Sequence, residues 1–217
     1  MKVLIIGATG MAGSELVQEA LKQNLEVVAN GRNVEKLNQL KDQYPSVELL
    51  VKDAFYLNHE DFKGIDVIID AFSCEPKKAY LQVDLSTRLI SLLRASQTRI
   101  GFILGAGSLY TDEKKQQLVY DLIKSDDSTK PWRATPENQL YELEFLRNVK
   151  NVNWYGVSPG ESFVPGAQSS NILYGTDIRL KNDQNVSETT SGTMAYAVIQ
   201  EAIKNQHNQE RFTVVNG

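Results

Sequence analysis

The sequence predicts an α/β fold: a doubly wound parallel sheet with helices on both faces, three layers deep, in a single domain. Three observations carry this. Short apolar runs rich in Val, Ile and Leu alternate with segments of helical periodicity. A turn punctuated by glycines joins the first run to the first helix. The 217 residues are enough to bury one continuous core, and no linker divides them.

Taken in order, Lys2 to Ile6 is a short buried strand, followed by an amphipathic helix whose apolar stripe closes at Leu21 and Leu25. Glu26 to Asn30 is a second strand ending at Gly31-Arg32-Asn33, and a helix follows around Val34 to Leu40. Val47 to Val51 finishes at Asp53. Ile65 to Asp70 is apolar on both faces, as parallel strands covered on both sides tend to be. Lys78 to Ala95 repeats Leu and Ile at helical spacing, and Ile100 to Leu104 is a fifth strand followed by Gly105-Ala106-Gly107-Ser108. Beyond Ser108 the rhythm loosens. Helices are expected over Asp112 to Lys124 and from Pro136 to about Asn148, and a sixth strand over Val152 to Val157. A hairpin is expected at Ile172 to Leu180, a last helix over Thr189 to Lys204 and a last strand over Arg211 to Val215. Residues 1–217 therefore read as one nucleotide-binding domain, with the Gly-, Ser- and Asn-rich stretch 161–187 as a substrate-side loop or lid.

The chemistry starts at Gly7-Ala8-Thr9-Gly10-Met11-Ala12-Gly13. Gly7 permits the tight turn out of the strand. Gly10 lets the backbone approach a pyrophosphate, and Gly13 lets the helix sit close to the sheet. The free N–H groups of that helix would meet the anion. This is the cradle of a Rossmann dinucleotide fold, in which ligands lie beyond the carboxyl ends of the strands. NAD-dependent members place an acidic residue after the second strand to hold the ribose hydroxyls. This chain has Arg32 there, whose fork of donors suits the 2′-phosphate of NADPH, so NADP(H) is expected in preference to NAD(H). Asp53 would accept from the adenine amino group, cap a helix N-terminus or sit at the surface. Ala71, Phe72 and Ser73 would pass under the ribose, and Gly105 and Ala106 follow the fifth strand. Asp70 reads as a strand-end carboxylate.

Composition excludes other classes. The formal net charge is −4, and the lysines are scattered without aromatic interleaving, which argues against nucleic acid. One cysteine, Cys74, allows no internal disulfide and suggests a reducing compartment. It reads as a buried structural thiol. No apolar run approaches the roughly 20 residues of a membrane span, and the first strand follows Met1 directly, so a cytoplasmic protein is expected, monomeric or homodimeric. His59 and His207 lack paired ligand spacing, which leaves a metal site without support.

Gly7 to Gly13, Gly31-Arg32-Asn33, Gly105-Ala106-Gly107-Ser108-Leu109, Ser158-Pro159-Gly160 and the terminal Arg211-Phe212-Thr213-Val214 together resemble one family over nearly the whole chain. It is the atypical short-chain dehydrogenase branch of NADH-flavin reductases, related to NmrA-like and biliverdin reductase B-like proteins. The resemblance implies NAD(P)H binding, with Gly7 to Gly13 on the pyrophosphate, Arg32 on the ribose phosphate, and Ser108 and Pro159 near the nicotinamide.

Conventional short-chain dehydrogenases protonate an alkoxide with a Tyr and a Lys four residues later. The helix entering the sixth strand carries Tyr141, but Phe145 stands where the Lys belongs. Tyr110 with Lys114 and Tyr120 with Lys124 also match the spacing. The apolar residues Leu118, Val119, Leu122 and Ile123 are expected to face away from Tyr120 and Lys124, which describes a solvated face. Without a working pair, hydride transfer to a conjugated acceptor survives best, because the charge spreads over a ring and the protein's task is binding and orientation. FMN or FAD would then be a substrate. Ser108 is the catalytic candidate, bonding the nicotinamide amide or the acceptor, and Phe72, Tyr110, Trp132 and Phe163 would supply a flat apolar pocket. The alternatives are an NADP(H)-sensing regulator without turnover, and a carbonyl reductase or epimerase using Ser108, Tyr120 and Lys124.

Overall fold

The computed structural model describes residues 1–217. Ten strands and six α-helices follow in the order β1 (Lys2–Ile6), α1 (Met11–Lys22), β2 (Glu26–Gly31), α2 (Val34–Gln43), β3 (Glu48–Val51), β4 (Val67–Asp70), α3 (Tyr80–Leu93), β5 (Arg99–Ile103), α4 (Val119–Ser125), α5 (Ala134–Arg147), β6 (Trp154–Ser158), β7 (Ser162–Val164), β8 (Ile172–Gly175), β9 (Glu188–Thr190), α6 (Ser191–Lys204) and β10 (Glu210–Asn216). The main sheet runs β3-β2-β1-β4-β5-β6-β10-β8. All of its strands are parallel except β8, which pairs antiparallel with β10. Strand order therefore reverses between β1 and β4, the position where a doubly wound sheet opens a crevice.

Alternation along β1 sorts the core. Val3 and Ile5 join α1, α2 and α6 on one face, and Leu4 and Ile6 join α3 and α5 on the other. Trp154 is fully buried and donates its indole N–H to the Val149 carbonyl at 3.2 Å. Asn33 caps α2, its side-chain oxygen accepting from the Lys36 N–H at 2.9 Å.

Two expected elements differ. The helix over Asp112 to Lys124 shrinks to α4, because Tyr110 bridges to both Leu118 and Ile178 and the Thr111 N–H donates to the Gln117 carbonyl at 2.9 Å. Residues 111–118 are thus a folded-back loop, turned at Lys115 with φ +53°. The hairpin at Ile172 to Leu180 is absent as well, since β8 spends its hydrogen bonds on β10, a partner about 40 positions away that local patterning cannot reveal. At the start of the 161–187 stretch β7 instead pairs with β9, just beyond its end, in a short parallel ribbon.

Candidate functional site

The glycine turn is built as the spacing demands. Gly7 sits at φ +74°, and a Cβ there would lie 2.7 Å from the Ala71 carbonyl oxygen. A Cβ on Gly13 would lie 2.1 Å from the Gly7 oxygen, so helix and strand meet backbone to backbone. Gly10 precedes α1 with no side-chain cap. The N–H groups of Met11, Ala12 and Gly13 donate to nothing in the chain, which leaves a bundle of aimed donors at the positive end of a helix dipole.

Met11 and Ala12 border a cavity of about 670 Å³ over the crevice between β1 and β4. Gly10, Met11, Ala71, Phe72, Ser73, Gly105, Ala106 and Pro159, all expected to bind cofactor, line it. Gly7, Thr9 and Gly13 lie in the turn behind that wall, and Arg32 and Asp53 lie beyond it, after β2 and β3. Arg32 is 71% exposed and pairs with Asp53 at 3.5 Å. Asp53 also caps the turn at Ala54–Tyr56, accepting from the Phe55 N–H at 2.9 Å. Lys78, nearby, is paired with Glu75 at 2.8 Å. Val119, Ile123, Trp132, Pro136 and Phe163 give the cavity much of its apolar lining. Phe72, Trp132 and Phe163 stand where a flat pocket was expected, and Tyr110 does not.

Ser108 is the main departure. Its hydroxyl is 3% exposed and absent from the cavity wall. It donates to the Gly105 carbonyl at 3.3 Å and accepts from Arg211 Nη1 at 3.1 Å. The short turn Ala106–Ser108 rolls the side chain under Gly107, which takes the wall position instead. Cys74, expected to be buried, is half-buried and lines the cavity, with its Sγ 3.2 Å from the Lys78 carbonyl.

The Tyr120 face is also reversed. Tyr120 is 5% exposed, whereas Leu122 is exposed, so α4 turns the tyrosine inward. Burial and a hydrogen bond to Glu137 push its phenol up to about 12. Lys124 and Lys114 point to solvent. No Tyr-Lys pair faces the cavity.

The residues that patterning missed lie beneath the floor. Asp70, expected to be an ordinary strand-end carboxylate, is 6% exposed and shares a small void with Gln82 of α3 and Glu142 of α5. Arg211 is buried against Ser158, Ser108 and Asp177. The one available signal for Glu142 was its place beside Leu143 and Leu146 on the packed side of a helix.

Comparison with known proteins agrees with this geometry. Residues 7–202 match the model of a family described as NAD(P)H-binding. An uncharacterized Bacillus subtilis protein, YwnB, is 36% identical over all of this chain and 99% of its own. A Lactobacillus casei protein of solved structure shares 33% identity, with both chains fully covered and a TM-score of 0.90. A Streptococcus pneumoniae structure named as a putative NADH-flavin reductase shares 30% identity over the whole of both chains, with a TM-score of 0.89. The free donors of α1, the glycine cradle and the crevice between β1 and β4 fit a nicotinamide dinucleotide, and the chain belongs to the family described as NAD(P)H-binding.

Proposed function

We propose that the protein is an NADPH-dependent reductase that passes hydride to a flavin or a similar flat, conjugated small molecule. The observation that carries this reading is the continuity of the cavity, which runs from the uncapped α1 donors past Gly105 to an aromatic wall of Phe72, Trp132 and Phe163. A pyrophosphate on the N–H groups of Met11, Ala12 and Gly13 would gain hydrogen bonds and the helix dipole, the latter worth about 0.3–1 kcal/mol. Arg32 would hold the ribose phosphate once released from its long contact with Asp53. Ala71, Phe72 and Ser73 would carry the adenosine ribose, and Pro159 with Gly105 and Ala106 would bound the nicotinamide. Segment 161–187 would act as the lid, since Glu161 and Phe163 already line the cavity.

A bound dihydronicotinamide supplies the hydride. The chain's part is to orient the two rings, exclude water through the apolar wall, and hold the cofactor's charges away from the reacting faces. Ser108 acts through Arg211 and the Gly105 carbonyl, setting the turn that presents Gly105 to Gly107, and is a positioning residue. Mixing the protein with NADPH and FMN and following the nicotinamide absorbance, with NADH as control, tests the reading. FMN-dependent oxidation favouring NADPH supports it. Tight NADPH binding without consumption across FMN, quinones and aldehydes would favour the cofactor-sensing regulator, a reading supported by the missing Tyr-Lys pair.

A further inference from the structure

Behind the cavity wall lies a second void of about 10 Å³, enclosed by Asp70, Phe72, Gln82, Ile103 and Glu142. Phe72, Gln82 and Ile103 line the large cavity too, so the two spaces share these walls. The volume is close to what one water needs, and a buried water requires two to four polar partners. Three of the five walls are polar, and all three present oxygen. Gln82 Oε1 is buried without a hydrogen-bond partner, in a residue 6% exposed. Asp70 Oδ1 accepts from the Phe72 N–H at 2.9 Å, and Glu142 Oε1 accepts from the Ser86 hydroxyl. Of these acceptors Gln82 Oε1 is the one without a partner, and a buried acceptor left unpaired costs about 1–3 kcal/mol. A water in the void, with a proton on the carboxyl pair, supplies the missing donor.

We propose that Asp70 and Glu142 hold one proton between them across an ordered water in this void, and that the pair delivers this proton past Gln82 to the acceptor reduced in the cavity. The delivery rests on the reductase reading above. As the acceptor takes the hydride with its electron pair, one new bond to hydrogen forms on its ring and negative charge appears on its conjugated oxygen or nitrogen. Glu142 breaks its O–H bond, the water hands that proton on, and the product leaves neutral. The pair, then two carboxylates, regains its proton from solvent through the cavity.

The electrostatics agree. Burial pushes Asp70 up to about 6, against the lowering effect of the Phe72 N–H. Burial, with the Asp70 charge added, holds Glu142 well above the carboxylate range. The groups facing Glu142 are Asp70 from β4 and Ser86 and Gln82 from α3. Lys78, in the turn at Pro76–Lys78 that packs on α5, is bound to Glu75 at 2.8 Å, and no cation contributes to either shift.

Infrared spectroscopy of the protein at neutral pH should reveal a carboxylic-acid C=O band that Glu142→Gln abolishes and Asp70→Asn moves. With NADPH and FMN or a simple quinone, wild-type kcat should fall as pH rises through the pair's upper ionisation. Glu142→Gln should lower kcat about tenfold or more, flatten that profile and leave NADPH affinity within twofold. Gln82→Met keeps both carboxyls and should retain the band while slowing kcat, so it carries the test if the acidic variants fold poorly. A wild-type protein without the band overturns the shared proton. A band combined with unchanged pH profiles in the variants overturns the delivery. Absence of NADPH consumption with every acceptor overturns the reductase reading and the delivery with it, while the band still decides whether the proton is shared.

Discussion

Arg211 grips Ser108 twice, Nη1 donating to the hydroxyl at 3.1 Å and Nη2 to the carbonyl at 3.4 Å. The same guanidinium reaches Ser158 Oγ at 2.9 Å and Asp177 Oδ1 at 2.5 Å. One buried cation on β10 therefore joins the end of β6, the turn after β5 and the loop after β8 beneath the cavity floor. It is a fastening for the walls of the site, and it helps hold the Ser108 hydroxyl, which donates to Gly105, out of the cavity wall.

Ser108→Ala should consequently cost about 1 kcal/mol of stability, the worth of an ordinary hydrogen bond, and shift NADPH affinity by less than about threefold. Arg211→Met should cost about 3 kcal/mol, the lower end for a broken buried ion pair, because Asp177 keeps Arg147 at 2.9 Å. Chemical denaturation and a cofactor titration of both variants check this. A loss of turnover above about a hundredfold in a stable Ser108→Ala would restore the serine to the chemistry.

Arg32→Ala should weaken NADPH roughly ten- to hundredfold and leave NADH nearly unchanged, since a charged contact of about 1.5–3 kcal/mol is made only with the extra phosphate. The present contact with Asp53, long and exposed, offers little resistance to that exchange. Equal weakening of both cofactors in a fluorescence titration would show that Arg32 does not read the phosphate.

Most of the sheet was legible because parallel strands buried on both faces announce themselves as continuous apolar runs, and Gly7, Gly10 and Gly13 mark the crevice by steric necessity. What escaped depended on distant partners. β8 is a strand because β10 is there, and Tyr110 bends the chain back because Leu118 and Ile178 bridge to it. Ser108 looked catalytic because nothing local reveals that Arg211, 103 residues later, occupies its hydroxyl. Glu142 went unremarked because its partners, Asp70 and Ser86, come from other elements.

Tyr120→Phe should leave turnover within about threefold. A phenol pushed up to about 12, buried and bonded to Glu137, is a poor proton donor at neutral pH, and Lys124 points away to solvent. Loss of about a hundredfold in reduction of a simple aldehyde would reinstate the carbonyl-reductase reading.

The two buried acid clusters should tilt the pH dependence of stability in opposite directions. Glu201 is buried, which raises its carboxyl, but hydrogen bonds from Arg99 at 2.5 Å and from the His207 N–H at 2.8 Å outweigh this and lower it. A lowered acid contributes stability that is present above its unfolded value near 4.5 and is lost as pH falls through the folded one. Asp70, raised from 3.8 to about 6, and Glu142, raised further, bind protons more tightly when folded. Their contribution is full below the unfolded values and fades as pH climbs through the folded ones, from about 4 to 6 for Asp70. Denaturation midpoints across pH should therefore peak in the mildly acidic range for the wild type. Glu142→Gln removes a proton-binding group of the native state, so its midpoints should decline less above that peak. Glu201→Gln should instead flatten the acid limb, at a cost of about 3–5 kcal/mol from the stranded Arg99. A Glu142→Gln curve parallel to the wild type on the alkaline side would mean that the pair carries no proton at neutral pH, and the small void beneath the cavity would then hold only charge.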